Sequence, residues 1–106
     1  MLKKLLLHSL GLCGELPGSI RKLTSLTKLD LGNNQLTHIP DSIGSMSSLR
    51  WLDVSNNKLT CLPDSIESLS RRTTLYLNNN PITSTEARKN EIKMRFKKSG
   101  LYISVL

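Results

Sequence analysis

The 106-residue chain has few of the residues that mark metal-binding, disulfide-linked or catalytic proteins. Its two cysteines, Cys13 and Cys61, form no CxxC pair and have no cluster of histidines around them, so their spacing does not predict a metal site. His8 and His38 are isolated, and the glycines form no phosphate-binding loop. The sequence therefore implies no cofactor and no small-molecule substrate, and it predicts a protein that is not an enzyme.

Aromatic residues are also scarce. They make up 4% of the chain and comprise Trp51, Tyr76, Phe96 and Tyr102. The core must then be built mainly from leucine and isoleucine, each contributing about 1.5 to 3 kcal/mol when fully buried. A chain of this length can bury one continuous but narrow core, so we expect a single domain of modest stability.

What the chain does contain is an internal repeat. Residues 26–71 divide into two consecutive 23-residue units, LTKLDLGNNQLTHIPDSIGSMSS and LRWLDVSNNKLTCLPDSIESLSR, which are identical at 13 of 23 positions. A unit of this size cannot bury its apolar face alone. Tandem similarity at this period therefore predicts a solenoid, in which each unit stacks on its neighbours.

The repeated residues follow the pattern LxxLxLxxNxL. In the first unit they are Leu26, Leu29, Leu31, Asn34 and Leu36, and in the second they are Leu49, Leu52, Val54, Asn57 and Leu59. The second halves also correspond, as Ile39, Pro40, Ile43 and Met46 against Leu62, Pro63, Ile66 and Leu69. This pattern resembles the leucine-rich repeat family, in its intracellular type.

The resemblance implies an α/β fold, a short right-handed horseshoe with parallel β-strands on the concave face. Turns and short helices would form the convex face. Because successive side chains of a strand point to opposite sides, Leu29 and Leu31 are predicted to face the core. Lys28, Asp30 and Gly32 are predicted to face outward.

One asparagine recurs at the same position of each unit. A buried asparagine can satisfy several backbone groups of a turn at once. We interpret these residues as a structural ladder inside the solenoid, not as ligand contacts: Asn34, Asn57 and Asn80.

The whole chain is predicted to be one leucine-rich repeat domain, residues 1–106. Its repeats would span about 2–25, 26–48, 49–71 and a partial 72–82, followed by a capping helix and strand in 83–106. The first repeat follows LxxLxLxxLxL from Leu2, with Leu10 at the position of the asparagine. It spans 24 residues and resembles the plant-type GxLPxxI ending at Gly14, Leu16, Pro17 and Ile20.

Two alternatives concern the N-terminus. Two lysines followed by an apolar run also fit a secretory signal or lipoprotein anchor in residues 1–14. If residues 2–25 instead form a repeat, their strand is an uncovered edge of the sheet, and such an edge favours self-association.

The C-terminal quarter departs from the repeat. The fourth unit begins at Arg72, in place of a leucine, and Thr83 and Glu86 fit a capping box for a helix of about 84–98. Ser99 and Gly100 would end that helix. Ile92 and Phe96 are predicted to close the core, and the alternating segment LYISVL after Gly100 predicts a last strand.

The formal net charge is +7, and six of the 15 basic residues lie in this helix: Arg88, Lys89, Lys93, Arg95, Lys97 and Lys98. No nucleic-acid-binding motif accompanies them, so the pattern favours a solvated helix face. The alternative is a basic scaffold that contacts nucleic acid or an acidic membrane through the helix.

The outward strand positions form the informative surface. Trp51 is the only tryptophan, and Tyr76 is predicted to lie diagonally next to it on the following strand. Tryptophan, tyrosine and arginine are enriched at binding hot spots. We therefore predict a protein–protein interaction module that binds a partner protein through the concave face, with these contact residues: Lys28, Asp30, Arg50, Trp51, Asp53, Ser55, Thr74, Tyr76, Asn78 and Tyr102.

Three further points stay as expectations. Asp30 and Asp53 occupy the same position of adjacent strands, where a carboxylate pair could serve acid and base roles, but aspartate is common at this position of the family. A second functional alternative is a regulator or effector that occludes another enzyme's active site. The absence of cysteine-rich caps favours a cytoplasmic protein, with secretion, including as a bacterial effector, as the alternative.

Overall fold

The computed structural model describes residues 2–69, 73–97 and 101–105. These residues form seven short β-strands, four 3-10 helices and one α-helix. The strands are β1 (Lys4–Leu6), β2 (Cys13–Glu15), β3 (Lys28–Asp30), β4 (Gln35–His38), β5 (Trp51–Asp53), β6 (Thr74–Tyr76) and β7 (Tyr102–Ser104). The α-helix, α1, spans Glu86–Phe96 and lies between β6 and β7 in the chain.

Five strands form one parallel sheet in the order β1-β3-β5-β6-β7. The register repeats without a shift, so that Leu29, Leu52 and Leu75 lie side by side at the middle of their strands. All three are fully buried, while the residues on either side of them in each strand are partly exposed. The predicted parallel sheet and its alternation are therefore confirmed.

A second sheet was not predicted. β2 and β4 pair in parallel as a separate two-stranded sheet, with an irregularity between Gly14 and Glu15. The sequence of β2, Cys-Gly-Glu, carries no alternation of apolar and polar residues, so hydrophobic patterning could not reveal it.

The side opposite the five-stranded sheet carries three 3-10 helices, Gly18–Lys22, Asp41–Ser45 and Asp64–Ser68. Each helix begins after a proline in extended conformation, and each buries one isoleucine, Ile20, Ile43 or Ile66. Proline fixes φ near −65°, which directs the chain into the first turn. The predicted face of turns and short helices is thus present.

The core is continuous along the solenoid and consists almost entirely of leucine, isoleucine and valine. At the C-terminal end, Ile92 and Phe96 of α1 are buried against it, together with Leu101 and Val105 on either side of β7. β7 pairs in parallel with β6. The predictions of a helix that closes the core and of a last strand are confirmed.

The predicted start of α1 was wrong. Thr85, not Thr83, is the N-cap residue, and its hydroxyl accepts a hydrogen bond from the amide of Arg88 at 3.2 Å. Thr83 instead ends a 3-10 helix, Pro81–Thr83, where its buried hydroxyl lies 3.2 Å from the carbonyl oxygen of Asn80. The segment Thr-Ser-Thr-Glu offers three hydroxyl residues that can cap a helix, and packing selects the third.

The N-terminal repeat is less buried than its leucine spacing predicts. Leu2 and Leu10 are 48% and 59% exposed, and Leu5, Leu7 and Leu12 are only partly buried. β1 has a neighbouring strand on one side only among the described residues. The predicted roles of Arg72, Lys98, Ser99 and Gly100 concern residues outside those that the structure describes.

Candidate functional site

The outward-facing residues of the five-stranded sheet, which we call the strand face, form two rows. The register aligns residues across all five strands. The first row is Lys4, Lys28, Trp51, Thr74 and Tyr102, and the second is Leu6, Asp30, Asp53, Tyr76 and Ser104. β5 is the central strand, so Trp51 and Asp53 lie in the middle of the face.

Trp51 is at the centre of a three-residue cluster. The ring of Tyr76 lies diagonally across the sheet, with 5.2 Å between the ring centroids and 50° between the ring planes. The Nζ atom of Lys28 lies 4.4 Å from the centre of the Trp51 ring. Tilted aromatic pairs and a cation over an indole ring are both attractive. The cluster therefore holds a large, partly exposed aromatic surface in a fixed orientation.

The two aspartates of the second row have local partners. Asp30 accepts a hydrogen bond from the amide of Gly32 at 3.0 Å. Asp53 accepts one from the amide of Ser55 at 2.8 Å and one from the Ser55 hydroxyl at 2.5 Å. Each carboxylate thus closes the turn that follows its strand. This structural role accounts for both residues without acid–base chemistry.

The other predicted contact residues are less closely grouped. Thr74 neighbours Trp51 in the first row, and Tyr102 is 64% exposed at the far edge of that row. Ser55 and Asn78 follow their strands and supply carbonyl oxygens to neighbouring backbone amides. Arg50 precedes β5, and its guanidinium donates to the carbonyl oxygens of Ser47 and Leu49. Arg50 is therefore not one of the residues that surround Trp51 in the sheet.

The recurrent asparagines lie inside the turns that follow the strands. Asn57 is buried, and its Oδ1 accepts a hydrogen bond from the amide of Leu36 at 3.0 Å in the preceding repeat. Its Nδ2 donates to the carbonyl oxygens of Leu31, Val54 and Ser55 at 3.0 to 3.1 Å. One side chain thus satisfies the backbone of two adjacent repeats.

Asn34 and Asn80 make the equivalent contacts one repeat earlier and one repeat later. Asn34 accepts from the amides of Leu10 and Leu12, both at 3.0 Å. Asn80 accepts from the amide of Leu59 at 3.1 Å and donates to the carbonyl oxygen of Val54 at 3.0 Å. All three side chains are occupied by backbone groups, which leaves them no surface for a ligand.

Each turn contains a further asparagine with a structural role that was not predicted from the sequence. Asn33, Asn56 and Asn79 adopt φ values of 55°, 56° and 59°, in the left-handed region. Asparagine tolerates this region better than other residues that carry a side chain. The signal was the doublet Asn-Asn, in which the first residue turns the chain and the second bonds the backbone.

The basic residues of α1 divide into two groups. Arg95 binds Asp64 at 3.1 Å, Glu67 at 3.4 Å and the carbonyl oxygen of Pro63 at 3.3 Å, and so joins the helix to the last 3-10 helix before it. Arg88 donates to the carbonyl oxygen of Pro81 at 2.9 Å. Lys89 forms an ion pair with Glu86 at 3.5 Å, and Lys93 is exposed. The helix is therefore not a uniformly solvated basic face, because its arginines have structural partners.

The described residues offer neither a metal-binding cluster nor a membrane-spanning helix. No group of three or more histidine, cysteine, aspartate or glutamate side chains is placed to hold a metal ion. Among the same residues, no helix is long and apolar enough to cross a membrane.

The repeated parallel strands, the buried asparagines and the helical turns opposite the sheet define a solenoid repeat protein. The sequence profile of the leucine rich repeat family matches residues 2–59 and, in a second overlapping match, residues 24–82. The chain belongs to the leucine-rich repeat family. Domains of this family are in general non-enzymatic scaffolds that mediate protein–protein interaction.

One solved structure gives the same fold. A leucine-rich repeat protein of Leptospira interrogans is 34% identical to the chain, with a TM-score of 0.72 over 86% of its length. The chain spans only 22% of the length of that protein. The ectodomain of BIR2 from Arabidopsis thaliana is 24% identical to the chain, with a TM-score of 0.44. The match covers 71% of this chain and 53% of the ectodomain chain. No curated protein matches the chain.

Proposed function

We propose that this protein binds a partner protein through the concave strand face, with Trp51 at the centre of the contact. The observation that carries the proposal is the cluster of Lys28, Trp51 and Tyr76 on the middle strands of the sheet. Tryptophan and tyrosine that are both partly exposed and fixed in position bind with little loss of side-chain entropy.

The side chains of the cluster lie on the strand face and do not pack in the core. Leu52, next to Trp51 in β5, is fully buried and makes the packing contact with neighbouring repeats. Trp51 projects from the opposite side of the strand. Alternate residues of the same strand thus have different roles, because those that face inward pack in the core and those that face outward are available to a partner.

The residues around the cluster provide specificity. Lys28 supplies a cation at one side of Trp51, and the carboxylates of Asp30 and Asp53 lie in the adjacent row. Because the aspartates also bond the backbone, their charges are held in fixed positions. A partner surface would need an apolar centre flanked by both signs of charge.

Residence in the cytoplasm is part of this proposal. Cys13 and Cys61 are both exposed and both free. Free thiols at the surface persist in a reducing compartment and are prone to oxidation outside it.

The test is a comparison of proteins captured on immobilised wild type, Trp51→Ala and Met94→Ala. Met94 is an exposed large apolar residue of α1, so its variant controls for loss of surface hydrophobicity away from the strand face. We expect Trp51→Ala to weaken capture of the partner by about 30-fold or more, the equivalent of about 2 kcal/mol at a hot spot.

Met94→Ala should capture the partner as wild type does. Circular dichroism and the melting temperature verify that each variant is folded. Equal capture by all three proteins would overturn the proposal.

A further inference from the structure

The outer edge of β7 borders a groove whose other wall is α1. Two adjoining depressions of about 390 and 260 Å³ run along this edge and share Lys93, Tyr102 and Ile103. Glu86, Lys89 and Lys97 complete the helical wall. The groove is open to solvent and follows the direction of the strand.

The backbone amide and carbonyl of Ile103 face this edge of β7. The carbonyl oxygen of Ser104 accepts a hydrogen bond from Leu77 at 2.9 Å, on the side of β6. Because alternate residues of a parallel strand bond to opposite neighbours, the amide and carbonyl of Ile103 point away from β6, toward the groove. Within residues 2–69, 73–97 and 101–105, no strand lies on that side of β7.

Three lysines line the groove on the helix side. Lys89, Lys93 and Lys97 are spaced four residues apart, which places them on one face of α1. Lys89 forms an ion pair with Glu86 at 3.5 Å. Lys93 and Lys97 have no ion pair among the described residues. The groove therefore combines a positive wall with an open strand edge.

We propose that this groove binds an extended acidic peptide segment, which adds a strand to the outer edge of β7. The peptide backbone would bond the amide and carbonyl of Ile103, as in other cases of strand addition. Its carboxylates would meet Lys93 and Lys97, and its apolar side chains would contact Ile103 and Tyr102. This site shares Tyr102 with the edge of the strand face, but it does not include the cluster of Lys28, Trp51 and Tyr76.

Strand addition distinguishes a peptide from other anions. Nucleic acid and acidic lipid can use the lysines, but they have no extended peptide backbone to pair with Ile103 as a strand. Two observations thus favour one occupant, since the positive wall selects acidic ligands and the strand edge selects an extended polypeptide.

Fluorescence anisotropy with a labelled peptide of alternating glutamate and valine tests the proposal. A length of about six residues suits a strand. The double variant Lys93→Glu/Lys97→Glu should weaken binding by about tenfold or more, because like charges then face each other. Lys3→Glu/Lys4→Glu makes the same charge change at the opposite edge of the sheet and should leave binding within about twofold of wild type.

A second peptide, N-methylated at alternate amides, removes the strand hydrogen bonds without altering the protein. It should also bind about tenfold more weakly. Circular dichroism checks that α1 is intact, and Lys93→Gln/Lys97→Gln replaces the charge-reversed pair if helix is lost. Trp51→Ala should bind the peptide as wild type does, which separates this site from the strand face.

Four results of the binding assays would overturn the proposal, and a fifth would come from light scattering. The four are no binding of the acidic peptide, equal weakening by the two lysine pairs, full binding of the N-methylated peptide, and displacement of the peptide by a single-stranded DNA oligonucleotide of equal charge. The last result would assign the groove to nucleic acid. Peptide-independent dimerisation in light scattering would assign the strand edge to a second copy of the chain.

Discussion

The N-terminal repeat and the third repeat share one leucine spacing but bury it to different extents. Leu49, Leu52, Val54 and Leu59 of the third repeat are fully buried. In the first repeat, Leu5, Leu7 and Leu12 are only partly buried. The third repeat is flanked on both sides, whereas among the described residues β1 has a neighbour on one side.

This difference shows that burial in the solenoid depends on the neighbours of a repeat more than on its own sequence. Each repeat contacts only the repeats next to it, so stability is roughly a sum of repeat and interface terms. Paired substitutions at equivalent positions of the two repeats can therefore separate the two contributions.

The largest expected difference is between Leu52→Ala and Leu5→Ala. These residues occupy equivalent middle positions of β5 and β1, two strands apart in the sheet. Leu52→Ala should lower the free energy of unfolding by about 2 to 5 kcal/mol, because it leaves a cavity between two repeats. Leu5→Ala should cost about 1 kcal/mol, because its side chain is already partly exposed.

Urea denaturation followed by circular dichroism measures both values. The m-value shows whether each variant still unfolds in a single transition. Equal losses at the two positions would mean that the neighbours of a repeat do not determine its burial energy.

The asparagines offer a second comparison. Asn57→Ala removes hydrogen bonds to four buried backbone groups, three carbonyl oxygens and one amide. The free energy of unfolding should fall by about 2 to 3 kcal/mol, since buried groups are left unpaired. Asn34→Ala should cost about 1 to 2 kcal/mol, because water can replace its partly buried bonds to Leu7, Leu10 and Leu12, and only its bonds to the carbonyl oxygens of Leu31 and Gly32 are buried.

Native-state hydrogen exchange gives a local readout of the same pair. The amide of Leu36 should lose protection in Asn57→Ala, and the amides of Leu10 and Leu12 should change little in Asn34→Ala. A protected Leu36 amide in Asn57→Ala would contradict the role assigned to this side chain.

A third comparison concerns two glycines of the 3-10 helices. A Cβ atom on Gly44 would lie 2.3 Å from the carbonyl oxygen of Ser65 in the third repeat, while one on Gly18 would approach no atom closer than Ser42 Oγ at 3.8 Å. Gly44→Ala should therefore lower the free energy of unfolding by about 1 to 3 kcal/mol through overpacking. Gly18→Ala should stay within about 0.5 kcal/mol of wild type.

Thermal unfolding of the two glycine variants provides the measurement. A melting temperature of Gly44→Ala equal to that of wild type would show that the contact between adjacent 3-10 helices is looser than the structure indicates.

Much of the fold was predictable because the same pattern of apolar and polar residues recurs in each repeat. Alternation around Leu29 predicted which strand residues face the core, and the resemblance to the leucine-rich repeat family implied that the strands are parallel. Pro40 and Pro63 predicted the turns of the opposite face. The apolar residues Ile92 and Phe96, four positions apart in the predicted helix, predicted that this helix closes the core at the C-terminal end. Each of these features was predicted from a pattern of residues that are close together in the sequence.

The features that sequence could not give depend on contacts between distant elements. β2 has no pattern of its own and exists because β4 lies beside it. Arg95 resembled the other basic residues of α1, and only the packing of the helix brings it to Asp64 and Glu67. The choice of Thr85 as N-cap likewise depends on where the preceding 3-10 helix ends.

The sequence predicted which residues belong to the candidate site better than it predicted how their side chains are arranged. The single tryptophan and the period of the repeat predicted that Trp51 and Tyr76 lie on one face. The position of Lys28 over the Trp51 ring depends on side-chain conformation and was not predicted. The turn bonds of Asp30 and Asp53 were likewise visible only in the structure.

The central claim, that the strand face around Trp51 is the recognition surface, is tested most directly by labelling this one residue. Since the chain contains a single tryptophan, incorporation of 5-fluorotryptophan gives one ¹⁹F NMR signal that reports on the face alone. Titration with a purified partner should shift this signal and remove its dependence on solvent D₂O, because the ring becomes shielded from water. An unchanged signal at saturating partner would contradict the account.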